Sequence, residues 1–359
     1  VPTTARLLAL LVAVTWGLNF VAIHLSLEQF PPLLCAAVRF AVIAVPVVLL
    51  VPRPLGVPLR WLLAYGAGFG VAQFVFLYSA MAVGMPAGLA SLVLQSSAPF
   101  TVVLAALLLH ERLAPRQLVG TAVAVAALLG IAASRAELGG AATLVPVLLT
   151  LLGGLGWAFG NLASRLAWRE RVAAGSPPSA VESLRLVLWV SVVPPLPLGL
   201  ASLALEGPAR IAGAFTGLGS TTGLLALAGL AFTVLVATLV GQVIWSALMA
   251  RHPSSSVAPF SMLVPVVGML AAHLLLGEAT PWREVALGAV VVAGVLLGSL
   301  RPRRPLTPRA LGARSAHQEP PTRALGARSA HQEPPTRALG ARSAHQEPPT
   351  RALGAPSAR

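Results

Sequence analysis

Residues 7–27 read LLALLVAVTWGLNFVAIHLSL, and residues 144–165 read LVPVLLTLLGGLGWAFGNLASR. Each is an unbroken apolar run of the length a helix needs to cross a bilayer core of roughly 30 Å, about 20 residues. Each also carries one polar interruption of the same kind, Trp16 with Asn19 and Trp157 with Asn161. The chain has no other asparagine. A shared polar mark in two spanning runs is the first sign of one unit used twice.

Outward from these two runs, eight more appear. They fall near 33–51, 59–81, 87–109, 116–134, 182–204, 221–248, 255–276 and 283–300, separated by charge or by Pro/Gly clusters. The first five pair with the last five in order. The second run carries Arg39 then Pro46, and the seventh Arg185 then Pro194; the third has Gln73 with Ser79-Ala80-Met81, the eighth Gln242 with Ser246-Ala247-Leu248-Met249. The fourth ends LLLHE at Glu111 and the ninth LLLGE at Glu278. The reading is an all-α integral membrane protein of ten transmembrane helices, built as two five-helix repeats, 1–140 and 141–304, around a central cavity. Five is odd, so the repeats are expected to lie inverted, a recurring plan of secondary transporters with the substrate site between them.

Composition agrees. The chain is 56% hydrophobic and only 10% charged, against about 25% charge in a soluble domain. All 25 basic residues are Arg and all 11 acidic ones Glu. The runs end at His24 to Glu28 and similar corners without a small-residue cleavage site, so the first is expected to remain as a helix. Arg placement sets orientation, because cytoplasmic loops retain positive charge. Twelve arginines, from Arg6 through Arg60, Arg112 and Arg171 to Arg304, fall on one side and only Arg135, Arg210 and Arg283 on the other. This places both termini in the cytoplasm; a bacterial cytoplasmic (inner) membrane is the expected location. Residues 309–322, RALGARSAHQEPPT, recur at 323–336 and 337–350. Such Pro- and Gly-rich copies cannot bury a core, so 305–359 is expected to be disordered. The basic tail is read as solvated, with no nucleic-acid partner; the partners expected are the lipid bilayer and a small-molecule substrate.

The polar residues inside the runs carry the functional reading. Asn19, Gln73, Gln95, Asn161 and Gln242 either join helices by hydrogen bonds of about 0.6 to 2 kcal/mol each or line a polar cavity. Their matching across the repeat favours the cavity. Arg39 either snorkels to the headgroups or meets a substrate carboxylate, since a centred Arg costs about 2.5 to 3.5 kcal/mol on insertion scales and needs a partner. Trp16, Trp157 and Trp245 are expected as cavity walls, and Trp61, Trp168 and Trp282 as interfacial anchors. His24 is the candidate for proton coupling, because no Glu falls at the centre of any run. No cofactor, no metal and no catalytic residue is expected, and Cys35, the single cysteine, reads as a small hydrophobe.

The stretches WGLNFVAI (16–23), PPLLCAAVRF (31–40), LLLHERL (107–113) and LLLGE (274–278) resemble the EamA branch of the drug/metabolite transporter superfamily over 7–300. Residues 72–100 and 257–269 are most similar to the branch that exports cysteine and O-acetylserine in enteric bacteria. The resemblance implies ten helices in a basket around one cavity and export of amino acids or related metabolites by alternating access. Where such proteins frequently have Lys, this chain has His24. The competing readings are a lipid or sugar-carrier flippase of the same superfamily, and an integral-membrane lipid-modifying enzyme. The enzyme needs acid clusters or a His/Asp pair, and the chain has no Asp at all.

Overall fold

The computed structural model describes residues 2–252 and 254–299. Among these, ten helices are long and apolar enough to cross a membrane. They are α1 (Thr3–Leu27), α2 (Pro32–Leu50), α3 (Leu59–Ala82), α4 (Ala87–Leu109), α5 (Pro115–Gly139), α6 (Ala142–Ala167), α7 (Ala180–Leu205), α8 (Thr221–Met249), α9 (Ala258–Leu276) and α10 (Trp282–Ser299). The bounds lie within a few residues of the hydropathy reading. The protein is a multi-pass membrane protein, and large apolar side chains such as Leu49, Leu107, Leu205 and Leu274 are exposed on its rim, where lipid solvates them. The repeated tail lies outside the described residues.

Helix starts and stops follow local chemistry. Pro occupies the first turn of α2 and α5, where its missing N–H costs nothing and its φ is already helical. At the start of α7, Ser179 Oγ accepts from the Glu182 N–H at 3.2 Å while Glu182 Oε2 accepts from the Ser179 N–H at 2.8 Å, a reciprocal cap. Helix α4 ends on His110 and α9 on Gly277, both in the left-handed conformation (φ 54° and 67°). In each case the N–H of the following glutamate reaches back to a helix carbonyl, Glu111 to Ala105 and Glu278 to Ala272.

The same irregularities recur in the two halves. Both α3 and α8 contain a π-helical stretch, Gly66–Ala72 and Phe232–Val240. Both α4 and α9 contain a 3₁₀ stretch, Leu94–Ser96 and Ala258–Leu263. Packing repeats as well. Helix α1 packs on α8 and α9, α6 on α3 and α4, α2 on α7, and α5 on α10. That set is unchanged when each helix is exchanged for its counterpart in the other half. The halves are therefore interleaved, each using the other's helices as walls.

Small residues permit the close crossings. A Cβ on Gly68 of α3 would sit 2.7 Å from the Gly160 nitrogen and 2.8 Å from the Gly156 oxygen of α6, so any side chain there would push the two backbones apart. Gly229 of α8 likewise lies against Ala22 and Ser26 of α1. Trp168, expected as an interfacial anchor, is instead buried, packed in a cluster with Tyr65, Ala163 and Leu186. Trp282 is 76% exposed, as an anchor should be.

Candidate functional site

A cavity of about 700 Å³ lies in the middle of the bundle, within the size range of small-molecule sites. All eight residues singled out as substrate-binding line it: Asn19, Arg39, Gln73, Gln95, Trp157, Asn161, Gln242 and Trp245. They come from α1, α2, α3, α4, α6 and α8, so both halves contribute. Among the described residues Arg39 is the only charged one on the wall.

Arg39 does not snorkel. Its side chain is buried, with the residue 6% exposed. One terminal nitrogen donates to Tyr78 Oη and the other to Thr238 Oγ1, both at 3.1 Å. The guanidinium lies 4.2 Å from the ring centroid of Phe74, whose π face attracts a cation. Its Nε has no partner. Among the described residues, the groups it bonds or stacks on, Tyr78, Thr238, Phe40 and Phe74, are all neutral. Arg185, its counterpart in the repeat, is half-buried and does not line the cavity.

The π-helical stretch of α8 helps to build the wall. A π-turn shifts the backbone hydrogen-bond register and leaves carbonyls for other donors. Here Ala237 O accepts from Trp16 Nε1 at 2.9 Å, and Thr233 O accepts from Thr238 Oγ1 at 2.7 Å, which aims that hydroxyl oxygen at Arg39. Trp16 then stacks obliquely on Trp245 with centroids 5.2 Å apart. Trp157 meets Phe69 edge-on at 6.1 Å.

The amides divide into two sets. Asn161 Nδ2 donates to Thr101 Oγ1 at 3.2 Å, and Gln95 Nε2 lies 3.7 Å from Met262 Sδ. By contrast the side-chain oxygens of Asn19 and Gln73 are buried with no hydrogen-bond partner among the described residues.

The two ends of the cavity differ. Toward the starts of α7 and α9 and the end of α8, its rim includes Ser179, Ser183, Met249 and Ser261, and Ser179 is exposed. Toward the ends of α1 and α3 its floor is Ile23 and Leu77, each 1% exposed. Beyond that floor the halves are tied together by hydrogen bonds. Glu206 accepts from the Leu33 and Leu34 N–H groups at 2.8 and 3.0 Å, and Glu278 from those of Ala87 and Gly88 at 2.7 and 3.0 Å. Gln29 Nε2 donates to Ala214 O and Thr216 O, both at 2.9 Å. The carboxylates thus cap the first turns of α2 and α4, where unpaired N–H groups and the helix dipole favour negative charge. Glu278 entered the sequence reading only as a mark of the repeat and Glu206 not at all; neither was assigned this role.

His24 is not in the central cavity. It lies beyond the closed floor, in a second cavity of about 470 Å³ with Gln29 and Arg210, its Nε2 3.6 Å from Glu28 Oε1. A half-exposed imidazole beside a solvated carboxylate has no contact with the central wall.

A bundle of ten spans from two interleaved halves, with one polar cavity at mid-depth, defines a membrane carrier. The profile of the EamA-like transporter family matches residues 3–133. A probable amino-acid metabolite efflux pump of Salmonella typhimurium strain LT2 is 43% identical over 291 residues, covering 81% of this chain and 93% of its own. Its namesake in Escherichia coli K12 is 43% identical over 285 residues, 79% of this chain and 91% of its own. A probable terminal-alkyne amino-acid exporter of Streptantibioticus cattleyicolor is 28% identical over 296 residues, 80% and 90% of the two chains. One crystal structure superimposes with a TM-score of 0.53 at 20% identity, over 85% of this chain and all of the other, a likeness of fold alone. The chain belongs to the EamA-like transporter family, and it is a transporter rather than an enzyme.

Proposed function

We propose that this chain exports small amino-acid-like metabolites, with cysteine and O-acetylserine as the first candidates, from the bacterial cytoplasm across the inner membrane by alternating access. The observation that carries the substrate reading is Arg39. A buried guanidinium with only neutral partners is costly, and a carboxylate entering the cavity supplies the missing counter-charge. Asn19, Gln73, Gln95, Asn161 and Gln242 offer hydrogen bonds around it, and Trp157 and Trp245 wall the remainder. The names of the three relatives support an amino-acid substrate.

Alternating access rests on the repeat. Five helices per half and a packing set that survives exchange of the halves are what two inverted modules, 1–140 and 141–304, require. Such an arrangement has a second state of similar energy, related to the first by exchange of the halves about a pseudo-two-fold axis, in which the opposite end opens. The open rim lies on the side that carries Arg53, Arg60, Arg112, Arg165, Arg169 and Arg171, the cytoplasmic side by charge. The cavity is therefore drawn in its loading state.

Efflux from proteoliposomes loaded with labelled O-acetyl-L-serine or L-cysteine tests this. Release above empty-vesicle background, abolished by Arg39→Gln, is expected. Efflux unchanged in Gln73→Leu combined with Gln242→Leu overturns the cavity assignment. Lipid transfer without amino-acid efflux replaces the reading with a flippase.

A further inference from the structure

We infer that the side-chain oxygens of Asn19 and Gln73 form an ammonium subsite which, with Arg39, makes the cavity select zwitterionic amino acids and refuse cationic ones. The inference rests on the amino-acid reading above and adds to it a second recognition pole and a charge rule.

Buried amide oxygens are almost always hydrogen-bonded, because leaving one unpaired forfeits its hydration with nothing in return. Gln73 is 4% exposed, and its Oε1 and Asn19 Oδ1 are both buried without a partner. What these two atoms lack is a donor. Among the described residues no donor reaches either oxygen, and the two guanidinium bonds that Arg39 makes go to hydroxyls instead. An ammonium group brings three N–H donors, enough for both oxygens.

Both poles line one cavity, and Arg39 packs on the helix that carries Gln73. The guanidinium sits 4.2 Å from the ring of Phe74, the residue that follows Gln73 on α3, and it bonds Tyr78 on the same helix. The second half offers no equivalent pair. Arg185 is off the cavity, and among the described residues neither Asn161 nor Gln242 has a buried, unpaired side-chain oxygen.

Charge then sets the rule. Among the described residues Arg39 is the only charged one on the wall, so an ammonium entering alone meets an uncompensated cation in a low-dielectric space, where like charges repel strongly. The same ammonium attached to a carboxylate that covers Arg39 meets no such penalty. A second positive charge on the side chain, as in lysine, has no acid to receive it. The space beyond holds the Trp16–Trp245 pair and Met262, an apolar and polarisable surface suited to a neutral side chain. Neutral amide acceptors also hold an ammonium less tightly than a carboxylate would, which suits a carrier that must release what it binds.

Binding to the purified full-length protein under reducing conditions tests the subsite by a chemical cycle. The probes are L-cysteine, its deamino analogue 3-mercaptopropionate, and L-lysine, against wild type and Gln73→Met. L-cysteine is expected to bind wild type about tenfold or more tightly than 3-mercaptopropionate, in line with hydrogen bonds to a charged group. Gln73→Met is expected to erase most of that difference by weakening cysteine alone, and lysine is expected not to compete. Should Gln73→Met not fold, Asn19→Ala enters the same cycle with the same expectation. Equal binding of cysteine and 3-mercaptopropionate to wild type, or a Gln73→Met loss equal for both, overturns the ammonium subsite while leaving a carboxylate carrier intact. Lysine binding as tight as cysteine overturns the charge rule. Binding of neither acid to wild type defeats the amino-acid reading itself, and the subsite with it.

Discussion

The corners LLLHE (107–111) and LLLGE (274–278) are the same motif in the two halves, yet their glutamates have different partners. Glu278 reaches across to the other half and caps the first turn of α4 through two backbone N–H groups. Glu111 lies in an ion pair with Arg165 at 2.5 Å, with both side chains about half exposed, 44% and 50%. The corner of Glu278 lies at the closed end of the cavity and that of Glu111 at the open end. Both glutamates thus bridge the halves, one by a backbone cap at the closed end and the other by an exposed ion pair at the open end, so the asymmetry belongs to the state of the molecule rather than to the motif.

The largest expected effect comes from fixing the closed end. With Cys35 replaced by Ala, a short bismaleimide joining Gln29→Cys to Thr216→Cys is expected to reduce efflux to background. Binding of O-acetyl-L-serine, read by thermal shift, should persist, because its access is through the other end. Undiminished efflux from the cross-linked protein would mean that this end never parts.

Next in size is loss of a cap. Glu278→Ala removes two charge-assisted bonds, at about 1.5 to 3 kcal/mol each by general experience with bonds to charged groups, less whatever water restores. Met85, 2% exposed beside that cap, is the reporter. Labelling of Met85→Cys by an impermeant maleimide is expected to rise about tenfold or more on adding Glu278→Ala, a factor that corresponds to about 1.4 kcal/mol.

Two smaller effects sharpen the contrast at the open corner. Glu111→Ala loses an exposed pair and is expected to cost only about 0.2 to 1 kcal/mol, seen as a small fall in melting temperature. His110 holds a left-handed conformation that Gly277 adopts freely in the other half. His110→Gly relieves about 1 kcal/mol of local strain and gives back some of it through the freer unfolded chain. A net gain of roughly 0.5 kcal/mol in the same melting assay is expected.

How much of this could be read from the residues differs by kind of interaction. The ten spans were legible because lipid permits little besides long apolar helices, and the pattern of runs states their number directly. The wall residues were legible for a related reason: an amide or a guanidinium inside an apolar run is costly, and Asn19, Gln73 and Arg39 stand out against leucine and valine. The roles of Glu206 and Glu278 were not legible. Each sits at a helix end, where an acid is ordinary, and its partners are backbone N–H groups of the other half that no side-chain pattern marks. The π-stretch at Phe232–Val240 contains no glycine or proline, so nothing local announced it; tertiary contacts with Trp16 and Arg39 use it. His24 lies on the same helix as Asn19 but beyond the floor, and hydropathy does not report which turn a cavity stops at. Trp168 reads as an anchor by position and is buried by the packing of its own half-turn against Tyr65 and Leu186.

Ser97, a buried cavity residue ten positions into α4, allows the most direct test. In a Cys35→Ala background, Ser97→Cys can be labelled in sealed, oriented vesicles by an impermeant maleimide applied from one face at a time, with and without O-acetyl-L-serine. Without substrate the reagent is expected to react from the Arg-rich face and not from the opposite face; with substrate, reaction from the opposite face should appear as reaction from the first declines. Labelling from both faces in the same proportion whatever is added would contradict a cavity that opens to one side at a time.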